Sequence, residues 1–267
     1  MTWWIAPLAI AVGLIMGALG GGGAIITVPV LVYLAGQPPA AAMAGSLIVV
    51  SVTASAGMIG HWRAGLVRPA EGVAFAALGS AGAVGGSLLS MRMPGDVLMA
   101  LFAVLLLIVA AVMANKYLRP SSASPRHVPP MIEREPLRVH WRQVGLVALT
   151  ATGVGLLTGF FGVGGGFAIV PALVLALGFT MQQAVATSLL VIVLNSLVAL
   201  ATRLTVATDI DWAMIGWFSA LAAAGAILGG RVGRRLPART LGLGFAALLG
   251  VTSLAILAQT LTGLITQ

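Results

Sequence analysis

The chain has 267 residues, of which 60% are hydrophobic and only 7% charged; its net charge is +8 and it contains no cysteine. Because a folded soluble protein must present much polar surface to water, this composition excludes a soluble enzyme, a disordered chain and a disulfide scaffold. It predicts a membrane protein whose basic residues lie in cytoplasmic loops, so that nucleic acid is not an expected partner.

The first charged residue is Arg63, and the uncharged stretch before it is long enough for about three membrane passes. The N-terminus has no basic residue before its apolar run, so we expect a retained membrane segment rather than a signal peptide. Further uncharged stretches lie at 72–91, 97–115, 143–202, 212–230 and 240–267. Residues 116–142 combine charge with proline and are predicted to be a basic cytoplasmic linker between two membrane halves, 1–115 and 143–267.

The two halves resemble each other in sequence. Residues 12–54 match 154–196 at a constant offset of 142 without a gap. Chance matches of small residues are common in membrane helices, but a register this long that keeps proline and glycine together predicts an internal duplication. The matched pairs include Gly13 with Gly155, Gly17 with Gly159, Pro29 with Pro171 and, after one inserted residue shifts the offset to 143, Gly82 with Gly225 and Pro94 with Pro237.

The segment 3–35 decides how the two halves are oriented. As one helix it would be about 50 Å long, against a hydrocarbon core of about 30 Å. Glycines occupy positions 20–23, and the second half has Gly-Val-Gly-Gly-Gly at 162–166; such runs do not hold a helix. The chain therefore either passes once with a kink or breaks at the glycines and returns to its starting side.

The basic residues favour a return at the break. With four full passes in each half, Arg92 and the four arginines at 231–239 lie on the opposite side of the membrane from the other basic residues. With a return at the glycines, every basic residue except Arg92 and Arg203 lies on one side of the membrane. We predict an all-α polytopic membrane protein of about eight membrane segments. Its repeats are inverted, each with a glycine-broken first helix or re-entrant hairpin and three further helices, and both termini lie outside. A parallel four-plus-four bundle is the alternative.

Broken helices in inverted repeats are typical of secondary transporters. The glycine runs expose backbone N–H groups where two half-helices are predicted to begin, near Ala24 and Gly166, and helix N-termini attract anions. The alternative is helix packing, which we favour for the glycines at 13, 17, 155 and 159. The predicted substrate-binding glycines are Gly20, Gly21, Gly22, Gly23, Gly162, Gly164, Gly165 and Gly166.

Polar side chains within the spans are the next candidates for holding an oxyanion. Ser46 corresponds to Ser188 and Thr53 to Asn195 in the repeat, and Thr187 lies beside Ser188. The alternative is that these groups bond to backbone carbonyls or to neighbouring helices.

His61 and Arg203 are equivalent positions, and both end a span. His61 is a candidate for proton coupling or an interfacial residue, and Arg203 a candidate for attracting anions or a partner of Asp209 or Asp211. The arginines at 231–239 are interpreted as a cytoplasmic anchor. All six carboxylates lie in loops or at span ends, His127 and His140 lie in the predicted linker, and His61 stands alone. We therefore predict no enzyme, no catalytic residue, no metal and no cofactor.

The pattern G-x3-G-x2-G-x-G-G-x5-P, at Gly13 to Pro29 and Gly155 to Pro171, resembles the TauE/SafE sulfite exporter family, as does Ala-Thr-Ser-Leu at 186–189. The first half departs with Gly45, where the family often has threonine. The resemblance covers nearly the whole chain and implies a bacterial inner-membrane permease, often an exporter, for sulfite or organosulfonates. The expected partners are a small anion, the lipid bilayer and, left open, a second copy of the chain. A passive anion channel and a membrane scaffold or assembly protein are the alternatives.

Overall fold

The fold is described by a computed structural model, and its apolar part is entirely helical. Two short strands, β1 (Ile132–Arg134) and β2 (Leu137–Val139), pair antiparallel within the predicted linker, with Ile132 opposite Val139. The described residues are 5–21, 23, 27–28, 30–34, 36–90, 93, 95–118, 132–134, 137–139, 141–161, 166–203 and 211–265.

The described part of the chain contains nine α-helices and one short π-helical segment. The first half contributes α1 (Ala6–Leu19), the π-helical segment (Val30–Leu34), α2 (Pro39–Arg63), α3 (Pro69–Ser90) and α4 (Gly95–Leu118). The second half contributes α5 (Trp141–Phe161), α6 (Gly166–Leu175), α7 (Met181–Arg203), α8 (Trp212–Arg235) and α9 (Ala238–Ile265).

Among the described helices, seven are long and apolar enough to cross a membrane, namely α2 to α5 and α7 to α9, whereas α1 and α6 are shorter apolar helices. The predicted all-helical, polytopic membrane fold is therefore confirmed. The second predicted half-helix is observed as α6, which begins at Gly166, the last glycine of the run at 162–166. The division into two halves and a linker stays a prediction.

The short segments that follow the two breaks end in the same way. Gly36 and Gly178 both adopt positive φ, 66° and 68°, which glycine tolerates without strain. The next N–H in each case, of Gln37 or Phe179, donates to a carbonyl six residues back at 3.0 Å. This bond closes the last helical turn, and it recurs at the offset of 142.

The first helix of each half packs on a helix of the other half. Glycines four residues apart on α1 and α5 let the backbones touch, since a Cβ at Gly13, Gly17, Gly155 or Gly159 would overlap the neighbouring main chain. The pairs are Gly13 with Ala222 and Gly17 with Ala226 between α1 and α8, and Gly155 with Gly79 and Gly159 with Ala83 between α5 and α3. The second set follows from the first by the offsets 142 and 143, so these contacts confirm the predicted packing role and support the duplication.

The contacts also give the relative directions of neighbouring helices. Gly45 and Gly60 of α2 lie against Ile215 and Arg234 of α8, so α2 and α8 run the same way. Between α1 and α8, Gly13 lies against Ala222 and Gly17 against Ala226, so these two helices also run the same way. Because α2 and α1 are both parallel to α8, they are parallel to each other. Two parallel helices that follow each other in the chain require a return between them. The inverted arrangement stays a prediction, which these directions support.

Helix α6 lies at the centre of the bundle. Its residues from Gly166 to Pro171, with Leu173 and Val174, are buried, and the main apolar cluster surrounds it. Phe167 in its first turn meets Phe102 of α4 edge to face, with ring centroids 5.1 Å apart. The start of a short helix is thereby fixed inside the apolar part of the protein.

Candidate functional site

The two broken segments meet in the interior of the protein. The backbone of Gly21, just after α1, touches the backbone of Gly166 at the start of α6, and a Cβ on either residue would overlap the other. Gly20 lies beside them against α7, where a Cβ would be 2.5 Å from the Ser188 Oγ. We call Gly20, Gly21 and Gly166 the glycine crossing. The structure thus brings together three predicted glycines and one predicted hydroxyl.

The chain geometry at Gly20 explains why a side chain is not accommodated there. Its φ is +79°, a conformation that glycine adopts far more easily than other residues. The Gly20 N–H donates to the Met16 carbonyl at 2.8 Å and closes the end of α1. The first helix therefore stops inside the bundle, and the chain turns toward α6.

Helix α6 has different electrostatic surroundings at its two ends. The Lys116 Nζ of α4 donates to the Val174 carbonyl at 2.9 Å, in the last turn of α6. A cation there compensates the partial negative charge of the helix C-terminus. The N-terminus at Gly166 faces the glycine crossing instead, and its partial positive charge favours an anion. The sequence analysis did not single out Lys116, whose place at the end of an apolar span was its only signal.

Ser188 and its repeat counterpart Ser46 are held in the same way. Each hydroxyl donates to the carbonyl three residues earlier, Val185 and Met43 respectively, at 2.8 Å. A serine hydroxyl can rotate to another acceptor, so each group is able to turn its proton toward an anion. Ser188 adjoins the glycine crossing, whereas Ser46 lies on α2 in the first half.

Three other predicted polar residues have different surroundings. The Thr187 Oγ1 accepts a hydrogen bond from the backbone N–H of Arg68 at 3.2 Å, and the Asn195 Oδ1 accepts one from the Ser80 hydroxyl at 3.4 Å. Both contacts are with α3 or the residue that precedes it. Thr53 is fully buried, and its hydroxyl has no partner in the described part of the chain. Two serines outside the predicted set share that property: Ser51 and Ser219.

His61 is buried rather than exposed at a membrane interface, since only 1% of its surface is accessible. Its Nε2 lies 3.3 Å from the Gly17 carbonyl oxygen, so it joins α2 to α1 three residues before the break. Arg203 ends α7, and its side chain lies outside the described residues. Gly23 accepts a hydrogen bond from the Thr27 hydroxyl at 3.0 Å. Four predicted glycines lie outside the described residues: Gly22, Gly162, Gly164 and Gly165.

The fold and the crossing define a class: a multi-pass membrane protein with broken helical segments buried at its centre. Residues 5–256 match the family described as Sulfite exporter TauE/SafE, and the chain belongs to this family. Its members are membrane transporters and not enzymes, as the sequence predicted.

Similar proteins come from several organisms. A "Probable membrane transporter protein" of Xylella fastidiosa (strain 9a5c) is 35% identical over 231 residues, 85% of this chain and 82% of that protein. A protein of the same name from strain Temecula1 is 37% identical over 186 residues, 68% of this chain and 66% of that protein. The "Probable membrane transporter protein YunE" of Bacillus subtilis is 26% identical over 255 residues, covering 88% and 90%. No solved structure matches the chain.

Proposed function

We propose that the protein is a secondary transporter of small sulfur-containing anions, such as sulfite or organosulfonates. The anion binds at the glycine crossing and reaches either side of the membrane by alternating access. The observation that carries this proposal is the meeting of the buried α6 N-terminus with the broken end of α1, beside the Ser188 hydroxyl. The family description supports sulfite as a substrate and export as the direction, and we propose that export crosses the bacterial inner membrane.

An anion suits this site for electrostatic reasons. A helix N-terminus offers free N–H donors and partial positive charge without a buried cation, which would be costly in a bilayer. Glycine lets an oxyanion approach the main chain closely. Rotation of the Ser188 hydroxyl adds one donor. The N–H donors of α6 do not favour a cation.

The touching backbones of Gly21 and Gly166 suggest how access alternates. In the described conformation a Cβ does not fit between them, and neither does an anion. Binding therefore requires the two broken segments to move apart. The glycine interfaces of α1 with α8 and of α5 with α3 tie each broken segment to a helix of the opposite half, which favours rigid movement of whole helix groups about the crossing.

The first experiment tests for the anion itself. Thermal unfolding of the purified protein is measured with sulfite, sulfate, thiosulfate, taurine, sulfoacetate, phosphate and acetate. A ligand that binds only the folded state, present at a hundred times its Kd, adds about 2.7 kcal/mol to the free energy of unfolding. We expect a rise in Tm with sulfur oxyanions and none with acetate.

Flux in sealed vesicles then distinguishes a transporter from a channel. Uphill accumulation of the stabilising anion, driven by an ion gradient, is the expected result. Equilibration without accumulation would indicate a passive channel. A protein that neither binds nor moves any anion of the panel would contradict the proposal and favour a scaffold.

A further inference from the structure

A cavity of about 280 Å³ lies between the C-terminal ends of α2 and α8. Its walls include Arg63 and Ile59 from α2 and Arg231, Arg234 and Ile227 from α8. We call this cavity the arginine groove. Since α2 and α8 run in parallel, their C-terminal ends and the groove lie on the same side of the membrane.

The arginine groove is positively charged, and no described acidic side chain compensates this charge. Arg63 and Arg231 are exposed and Arg234 is half-buried. The ion pair described in the structure is Arg68 with Glu71, and no described carboxylate lies within ion-pair distance of the three groove arginines. Guanidinium groups bind phosphate-type oxyanions through paired N–H donors. The groove therefore offers several such donors to one ligand.

The inner part of the arginine groove is apolar and open. Ile59 and Ile227 each lie one helical turn before an arginine, and 49% and 38% of their surfaces are accessible. On helices that cross a bilayer, exposed isoleucines face acyl chains. Gly60 leaves room between the helices, because a Cβ there would overlap the Arg234 guanidinium. Charge at the membrane edge and apolar surface one turn deeper match the two parts of a phospholipid.

The arginines of the groove do not recur at the matching positions of the other half. At the repeat offsets, Arg231 and Arg234 correspond to Leu88 and Met91, and Arg63 corresponds to Thr205. The glycine interfaces recur in both halves, but this cluster occurs in one. A role outside the symmetric transport path explains that difference.

We propose that the arginine groove binds the phosphate of an anionic phospholipid, such as phosphatidylglycerol, with an acyl chain along Ile59 and Ile227. Basic pockets between membrane helices on the cytoplasmic side are suited to anionic head groups. The exposed isoleucines favour a lipid over a free anion, because a small anion makes no favourable contact with an apolar surface that faces acyl chains. This inference is independent of the proposed transport function.

The test measures lipid binding to the full-length protein. Purified protein is exchanged into phosphatidylcholine vesicles with increasing phosphatidylglycerol, and lipid that remains bound after extraction is measured by native mass spectrometry. The variant R231Q/R234Q is compared with R235Q/R239Q, which removes two exposed arginines of the same region that do not line the groove. We expect about fivefold weaker phosphatidylglycerol binding for each groove arginine removed, and near wild-type binding by the control.

A second variant and a free anion complete the test. Gly60→Leu keeps all three groove arginines in the sequence but fills the groove and displaces the Arg234 guanidinium, and we expect it to weaken phosphatidylglycerol binding as well. Equal binding by R231Q/R234Q and R235Q/R239Q would overturn the proposal, because general surface charge would then explain the affinity. Inorganic phosphate without lipid serves as the other probe. If it protects the wild type against unfolding as well as phosphatidylglycerol does, and R231Q/R234Q loses both effects, the groove is a solute site and the lipid assignment is wrong.

Discussion

Two adjacent residues of α7 have different contacts because their side chains point in different directions. Thr187 and Ser188 are neighbours, yet the threonine hydroxyl accepts a hydrogen bond from the backbone N–H of Arg68 while the serine hydroxyl lies against Gly20. Adjacent residues on a helix point about 100° apart. The proposed anion contact therefore belongs to the serine, and the threonine fixes the start of α3.

Ser188→Ala tests the proposed anion contact. Loss of one hydrogen bond to a charged ligand costs about 1.5–3 kcal/mol, so we expect the KM for the transported anion to rise at least tenfold. Ser253→Ala is the matched control, since that buried hydroxyl donates to the Ala103 carbonyl between α9 and α4. Flux per folded molecule is measured for both in vesicles. An unchanged KM in Ser188→Ala would remove this serine from the site.

The sequence predicted the types of residue at the crossing better than their partners. The glycine runs could be identified in both halves because glycine is much less favourable in a helix than other residues. The small hydroxyl residues could be identified because they lie at matching positions of the two halves. The pairing of Gly21 with Gly166 and the burial of His61 depend on how distant helices cross. Such contacts leave no periodic signal in one sequence, and for that reason the interpretation of His61 as an interfacial residue was wrong.

At the scale of elements, glycine decides how closely helices approach. Gly155 and Gly159 on α5 face the α3 backbone, whereas Gly145 and Gly153 on the same helix have open space around the position of a Cβ. Glycines of one helix therefore differ in role although their propensities are the same. Only the first kind places α3 and α5 in contact.

Gly159→Ala and Gly153→Ala form a matched pair of variants. A Cβ at 159 overlaps the Ala83 backbone, and overpacking typically costs about 1–3 kcal/mol; we expect a lower Tm and weaker α3–α5 packing. At 153 alanine meets no neighbour, and its better helix propensity adds up to about 1 kcal/mol of stability. Thermal unfolding in detergent measures both. Equal Tm values would contradict the packing role.

The duplicated contacts extend this expectation to the other half. Gly17 on α1 faces Ala226 as Gly159 on α5 faces Ala83, so Gly17→Ala is expected to lower Tm by a similar amount. The sequence predicted the similarity of these two contacts because the same glycine spacing occurs in both halves. It did not predict the strands β1 and β2, since proline and charge in the linker indicate only that the segment leaves the membrane.

In the whole molecule the two halves interlock rather than standing side by side. Helix α1 of the first half lies on α8, and α5 of the second half lies on α3. Helix α4 continues to Leu118 and α5 begins at Trp141, so both ends of the predicted linker 116–142 are helical. Each predicted half packs its first helix on the other half, and the boundaries predicted from the sequence are therefore not packing boundaries. The length of hydrophobic runs indicated how many helices cross the bilayer, but composition carries no information about which of them touch.

The direction of the helices gives the last prediction, which concerns topology. Ala64 follows α2, Thr240 lies in the first turn of α9, and both residues are exposed. Inverted repeats place these two residues on the same side of the membrane, whereas parallel repeats place them on opposite sides. Because the chain has no cysteine, Ala64→Cys, Thr240→Cys and Met93→Cys each introduce a single label site. With an impermeant maleimide on intact cells, we expect labelling of Met93→Cys and protection of the other two. Labelling of Thr240→Cys together with Met93→Cys would establish the parallel bundle instead, since α8 would then run against α2.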